Sequence, residues 1–461
     1  MQSQFRIIFL CASLMLTTLA FGQKQVPPAG GAPKDFNLPQ KEVFSLTNGM
    51  NATLVPYGNL PKVTVRLVIR AGNIDEAADE VWLADLVGDL LKEGTTARNA
   101  EAIAAEAASM GGTVNINVGP DQTTIEGDVL SEFAPALVKL LADIVRNPSL
   151  PESELARLKK DMSRNLSIQK SSPQSLTLEK FRQQLYPEHS YGRLFPTEAM
   201  IQSFTIEKVR EFYSANFGAA RAHVYVAGRF DSEAAAQALR EAFSDWATGS
   251  TQAANVPHPV AKRVLHLLDR PGAAQSTIYL GLPVINPADK DYRTLLVTNT
   301  LLGGFFSSRV TTNIRENKGY TYSPASSVSS RYRDAYWVQV ADVTTEVTGP
   351  ALNEIFHEIE RLQNEAPSEE ELNGVKNYMA GTFVLQNSSR GGIINQLAFL
   401  DLHGLDDNYL TDYVKTIQAV TPAEVQRMAQ TYLKDESMTI VITGDLKKIK
   451  EQVWSFREIV N

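Results

Sequence analysis

The stretch FTIEKVREFYSANFGAARAHVYVAGRF at 204–230 returns as VTPAEVQRMAQTYLKDESMTIVITGDL at 420–446, a period of about 216 residues. Both copies run from a cap through an amphipathic helix and a polar break into a strand that ends on glycine, with Gly228 and Gly444 in the same slot. A second pair, SLPESELARLKKDM at 149–162 and APSEEELNGVKNYM at 366–379, opens helices with the same proline and acidic first-turn chemistry. Glu154-Leu155 and Glu371-Leu372 lie 217 residues apart, so the two pairs agree in register. Two matches at one offset make this chain two copies of one plan.

Each copy mixes alternating strands, such as KVTVRLVIRAG at 62–72 and QSTIYLGLP at 275–283, with longer helices such as ALNEIFHEIERLQ at 351–363. That mixture predicts an α+β fold of two homologous domains, each a largely antiparallel sheet packed with helices. The domains are expected at 42–247 and 264–461, joined by the linker TGSTQAANVPHPVAKR at 248–263.

The N-terminus has the pattern of a cleaved secretory signal over 1–22: Arg6, an apolar run from Ile7 to Phe21, and the small-residue end Ala20-Phe21-Gly22. The run is too short for a comfortable membrane span, and no later stretch reaches transmembrane length. Cys11, the single cysteine, follows Leu10 where a lipoprotein site wants a small residue, so no lipid anchor is expected. Residues 23–41 have the Pro/Gly composition of a disordered lead-in. The expectation is a mature chain without a thiol, exported to the periplasm. A net charge of -8 and a pI near 5.5 argue against general nucleic-acid binding.

WLADLVGDLLKEGT at 82–95 places Leu83, Leu86, Val87, Leu90 and Leu91 on one apolar helical stripe, with Asp85, Gly88 and Asp89 off it. In this frame the segment resembles the zinc helix of the pitrilysin/insulinase metallopeptidases, the inverzincins, whose signature is His-x-x-Glu-His followed by a short stretch ending in Gly-Thr. Laid on that pattern, the histidines fall on Asp85 and Asp89, the catalytic glutamate falls on Gly88, and Gly94-Thr95 closes the stretch. The family's third ligand is a glutamate on a later helix; ESELARLKKDMSRNLSIQ from Glu152 resembles that helix and puts Asn165 at the ligand position. Zinc takes imidazole, thiolate or carboxylate in a tetrahedral set, and Asp85, Asp89 and a neutral Asn165 supply a poor one. The six histidines, at 189, 223, 258, 266, 357 and 403, include no i, i+3 or i, i+4 pair. No metal is therefore expected on this chain; Asp85 and Asp89 read either as a solvated acidic helix face or as a residual hard-cation site.

The resemblance extends over nearly all of the chain after the leader, through TNGMNATLVP at 47–56, HSYGRLFPTEAMIQSFTIEKVREFY at 189–213 and LLDRPGAAQSTIYLGLP at 267–283. In family members the second half contributes an arginine and a tyrosine seven residues apart that contact the substrate carbonyl. NIRENKGYTYS at 313–323 matches, which implies these roles for Arg315 and Tyr322. LLGGFFSSR at 301–309 resembles the family's glycine-rich segment; Gly303 and Gly304 read as tight packing at a helix end or as a flexible peptide-contacting loop, and the segment lacks the Gly-Lys-Ser/Thr ending of a phosphate loop. GGTVNINVGPDQTTIEGDVL at 111–130 resembles the edge strand along which substrate adds as an extra strand, with Asn115 in a family-like position and Ile116 replacing the usual alanine.

A family chain without zinc ligands but with the Arg/Tyr pair resembles the non-catalytic subunit of two-chain members such as bacterial processing-peptidase-like enzymes. The resemblance implies half of a clamshell chamber that binds unfolded peptide, with zinc in a His-x-x-Glu-His partner and a heterodimer as the active form. The rival is an inactive peptide-binding or structural scaffold of the same fold. An autonomous peptidase would need Asp85 and Asp89 as ligands and leaves Gly88 unable to act as a base.

Overall fold

In the computed structural model, β-branched and apolar runs form eleven strands in two sheets among the described residues. The structure describes residues 31, 34, 36–253 and 255–456; the expected leader 1–22 with Cys11, and most of the lead-in 23–41, lie outside these. The first sheet contains β1 (Glu42–Ser45), β2 (Asn51–Pro56), β3 (Lys62–Ile69), β4 (Thr113–Val118), β5 (Thr123–Leu130) and β6 (Ala222–Gly228), in the order β1-β2-β6-β3-β5-β4. The second contains β7 (Val264–Asp269), β8 (Gln275–Val284), β9 (Ala325–Arg331), β10 (Asp334–Thr344) and β11 (Thr439–Gly444), in the order β7-β11-β8-β10-β9. With β1 set aside the two sheets have one topology: β2 with β6 and β7 with β11 are parallel, and the other pairs are antiparallel. Gly228 stands opposite Pro56 as Gly444 stands opposite Asp269, so the repeat in the sequence is a repeat of register.

One face of each sheet is covered by helices of its own half. In the first half Leu67, Ile125, Val224 and Val226 pack with Leu86 and Leu90 of the Leu83–Lys92 helix and with Leu137 and Leu141 of the Ala134–Arg146 helix. In the second half Ile278, Leu280, Trp337 and Ile442 pack with Leu352, Ile355 and Ile359 of the Thr348–Asn364 helix.

The opposite faces are covered by an exchange. The Pro173–Leu185 helix of the first half lays Phe181 and Leu185 on the second sheet, against Tyr336, Val338 and Val441. Its counterpart 217 residues on, the Arg390–His403 helix, lays Ile393, Ile394 and Leu397 on the first sheet, against Val55, Val68, Tyr225 and Ala227. Both faces of β6 and β11 are thus buried, which is why these strands read as continuous apolar runs instead of alternating ones. Phe36 and Leu38, at the end of the lead-in, join the Arg390–His403 layer, Phe36 meeting Phe383 edge-on at 5.0 Å. The described residues from 36 to 456 belong to one compact unit, and among the described residues no helix is long and apolar enough to cross a membrane.

Glycine sets the closeness of one exchange contact: a Cβ on Gly281 would stand 2.2 Å from the Trp337 carbonyl oxygen and 2.8 Å from Phe181 Cζ. Phe181 is fully buried at this junction. Phe181→Ala is expected to cost about 3–5 kcal/mol and to raise hydrogen exchange at β6 and β11 amides together. Measured exchange that rises at β11 while β6 keeps its protection would show that the halves are not coupled through this helix.

Candidate active site

Trp82 enters the Leu83–Lys92 helix at φ 73°, in the left-handed region where a bulky side chain is strained. Its indole holds it there, donating from Nε1 to the Leu194 carbonyl at 3.1 Å and meeting Phe195 edge-on at 6.0 Å. The helix then buries Leu83, Leu86, Val87, Leu90 and Leu91, the stripe expected from their spacing. The other side is not an open acidic face. Asn73 Nδ2 donates to Asp85 Oδ2 at 2.8 Å and to Glu76 Oε1 at 3.0 Å, and Glu76 Oε1 also accepts from the Ala84 N–H at 2.9 Å. Burial pushes the Asp85 carboxyl up to about 6 against the Asn73 hydrogen bond, with the Asp89 charge adding to the rise. Burial likewise pushes Glu76 up to about 8, again opposed by Asn73 and assisted by Asp85. The reading of Asp85 as a solvated residue is therefore corrected: its neighbours Asn73 and Glu76 come from the preceding turn, which helical periodicity does not see.

Asp89 pairs with Lys92 at 2.8 Å. Gly88 is buried under the edge strand, and a Cβ there would lie 2.5 Å from Val118 Cγ2. Asn165 is exposed on the Glu152–Ser171 helix, and Asp161, one turn earlier, faces Arg157 at 3.5 Å and Arg164 at 3.8 Å. Among the described residues no three His, Cys, Asp or Glu side chains are grouped to hold a metal ion. A carboxyl shielded by an amide, a lysine-paired carboxylate, a glycine and an exposed amide fit zinc poorly.

The second half brings Arg315 and Tyr322 together. Arg315 sits in a wide helical turn over Thr311–Asn317, whose end is closed by Gly319 N–H to the Arg315 carbonyl at 3.0 Å and Tyr320 N–H to the Ile314 carbonyl at 2.8 Å. Gly319, at φ 64°, reverses the chain, and Thr321 Oγ1 bonds the Asp342 carbonyl at 2.7 Å, so that Tyr322 returns over the arginine. The Arg315 guanidinium carbon lies 5.4 Å from the Tyr322 ring centre, and Tyr322 is 81% exposed. The Phe306 ring centre is 4.1 Å from the same carbon. Phe306 was not among the residues singled out by sequence; its signal was an apolar pair, Phe305-Phe306, directly after two glycines.

Gly303 is buried in the wide turn Thr300–Gly304, where a Cβ would come within 2.6 Å of Gln339 Oε1 and Ser326 Oγ. Gly304 is half-buried, with a Cβ site 2.8 Å from Asn299 Nδ2. Tight packing, not a peptide-contacting loop, accounts for Gly303. Asn115 lies exposed on β4, opposite Glu126 of β5, and β4 is the terminal strand of its sheet with its outer edge unpaired.

The insulinase (peptidase family M16) profile matches residues 56–195, and the peptidase M16 inactive-domain profile matches 203–379. The chain belongs to the insulinase family of peptidases. An uncharacterised zinc protease of Rickettsia felis is 28% identical over 302 residues, covering 64% of this chain and 72% of that one. An uncharacterised zinc protease of Bacillus subtilis is 23% identical over 404 residues, covering 86% and 97%. The fold is shared with a peptidase M16 inactive domain from Pseudomonas fluorescens, at a TM-score of 0.80 and 23% identity over 88% of this chain and 98% of that one. It is shared also with a protease from Helicobacter pylori, at a TM-score of 0.82 and 20% identity over 88% and 100%. The Leu83–Lys92 helix lies within the stretch that the insulinase profile matches, and the residues at its expected ligand positions suit zinc poorly.

The carboxyls beside that frame bind protons more tightly folded than unfolded. Stability from Glu76 and Asp85 is therefore fully present below about pH 4 and is lost as pH rises towards 8. Glu76→Gln, which mimics the neutral carboxyl, is expected to match the natural protein near pH 4 and to exceed it by more than about 1 kcal/mol at pH 8. Urea unfolding across that range checks this; parallel pH profiles for the two proteins would refute it.

Proposed function

We propose that this insulinase-family chain is the non-catalytic subunit of an exported, two-chain zinc metallopeptidase. It binds unfolded peptide and holds the scissile carbonyl for a homologous partner chain that carries the His-x-x-Glu-His motif. One observation supports the reading: Arg315 and Tyr322 converge, with Tyr322 exposed, while Asp85, Gly88, Asp89 and Asn165, at the positions the resemblance gives the metal site, make a poor set for zinc. Export rests on the leader pattern at 1–22.

Amide hydrolysis concentrates negative charge on the carbonyl oxygen as the carbon becomes tetrahedral. A guanidinium and a phenol O–H aimed at that oxygen donate hydrogen bonds that strengthen as the charge develops. Arg315 would hold the peptide carbonyl and Tyr322 the developing oxyanion. The unpaired edge of β4, with Asn115 on it, offers main-chain groups along which an extended peptide can add as a further strand. The metal, its water and the general base are assigned to the partner, and each chain alone is then nearly inert.

Peptide hydrolysis measured with zinc, for this chain alone and mixed with a zinc-motif homologue from the same genome, tests the assignment. Turnover is expected only in the mixture, with Arg315→Ala and Tyr322→Phe each lowering it about 10²–10³-fold without loss of fold. Unchanged turnover in both variants would remove the pair from the mechanism. A mixture that neither cleaves nor co-elutes would favour the peptide-binding or scaffold protein, and turnover by this chain alone would overturn the reading of Asp85, Gly88 and Asp89.

A further inference from the structure

We propose that Phe306 is a positioning residue for Arg315: its ring forms the floor of a Phe306–Arg315–Tyr322 stack that orients the guanidinium towards a peptide carbonyl without using any of its N–H donors. The role in catalysis rests on the proposed function; the orientation itself does not.

An arginine on a surface turn has a long, flexible side chain, and a donor that wanders is a poor one for a charge that develops at a fixed point. The ion pair that the structure gives Arg315 is with its chain neighbour Glu316, from Nε at 3.2 Å. Glu316 is itself about half exposed, and such a surface pair does little to fix geometry. The stack is better suited. The Phe306 ring centre lies 4.1 Å from the guanidinium carbon and that of Tyr322 5.4 Å, so both rings are within cation–π reach, the contact a guanidinium prefers. Its donors lie in the plane, at the edge. Glu316 engages Nε, and the stacking leaves the terminal N–H groups free to meet a carbonyl.

Phe306 is not a stray apolar side chain. Phe305 beside it is partly buried against the second-half core, its ring centre 5.1 Å from that of Tyr378 on the Glu369–Gln386 helix. Next along the chain, Ser308 Oγ bonds Thr311 Oγ1 at 2.9 Å, and Arg309 forms a two-pronged pair with Glu371 at 2.7 and 2.8 Å. The loop is therefore fastened on both sides of Phe306, while Phe306 is left 65% exposed with its ring against Arg315. A ring so exposed gains little from burial, which points to the guanidinium as its purpose.

The test uses Phe306→Ala, Phe306→Leu and Phe306→Tyr in the full mature chain, all expected to melt at the natural temperature because the side chain is exposed. The partner-free readout is the Nε–Hε resonance of Arg315 in heteronuclear spectra, assigned by its loss in Arg315→Lys. It is expected to stand apart from the bulk arginine signals, to collapse towards them in the Ala and Leu variants, and to stay displaced in Tyr. A resonance that does not move in Phe306→Ala overturns the proposal. The second readout is turnover with the zinc-motif homologue. Phe306→Ala and Phe306→Leu are expected to lower kcat about 2–5-fold, the factor an exposed cation–π contact is worth, with KM held and Phe306→Tyr restoring the rate. A rise in KM with kcat unchanged would make Phe306 a peptide contact and overturn the positioning role. If the mixture is inactive the proposed function fails, and the resonance alone decides whether Phe306 orients Arg315.

Discussion

Each half of this protein lends the other the helix that finishes its sheet. The Pro173–Leu185 helix closes the second sheet and the Arg390–His403 helix closes the first, so neither sheet has both faces covered by its own half. A sheet with a bare apolar face costs roughly 25 cal/mol for each Å² left in water. The exchange removes that cost on both sides at once and binds the two copies into a single cooperative unit. A repeat that in sequence looks like two domains in a row is thus, in energy, one.

The seam of the exchange carries polar groups as well, and they are paired as buried groups must be. Tyr191 donates to Asp121 in the β4–β5 turn and accepts from the Tyr332 N–H at 3.2 Å, while Tyr186 donates to Asp334 at the start of β10. Arg390 reaches Asp128 of β5 at 2.7 Å, and Thr177 meets Thr443 at 2.6 Å. His223 Nδ1 lies 2.8 Å from Asp401 of the Arg390–His403 helix, and its Nε2 lies 2.8 Å from Thr53 on the neighbouring strand. These contacts add direction to the apolar exchange: a helix could slide on an oily face, but not while its carboxylates, guanidiniums and hydroxyls are hydrogen-bonded to fixed partners on the sheets.

The sequence made the repeat, the mixed α+β character and the apolar stripe of the Leu83–Lys92 helix legible because each is written in local periodicity or in a fixed offset. The exchange was not legible. Phe181 and Ile394 read as ordinary core residues of their own helices, and nothing in a period of 3.6 says which sheet they meet. At the site, the seven-residue spacing of Arg315 and Tyr322 was visible, but the stack was not, since Phe306 is nine residues before the arginine in a loop whose path is set by Phe305, Arg309 and Glu371. Asp85 was misread as solvated for the same reason: Asn73 and Glu76, which surround it, lie outside the helix whose pattern was read. Gly303 was open between packing and contact until the nearness of Gln339 and Ser326 decided it.

The two halves show how one scaffold tolerates opposite fates of its chemistry. In the first half the frame of a metal helix is kept for its packing: its stripe supports the sheet, and on the other side Val118 of the edge strand closes over Gly88, where a longer side chain would have to displace it. Unpaired carboxylates left in such a place would carry a desolvation cost; here one is neutralised by Lys92 and the other is held among hydrogen bonds with its proton affinity raised. In the second half Tyr322 stays exposed, and the half-buried Arg315 keeps a cation–π contact with it and a surface ion pair with Glu316. A surface ion pair and an exposed phenol contribute little to folding, which is consistent with the proposed role of the pair in holding a peptide carbonyl.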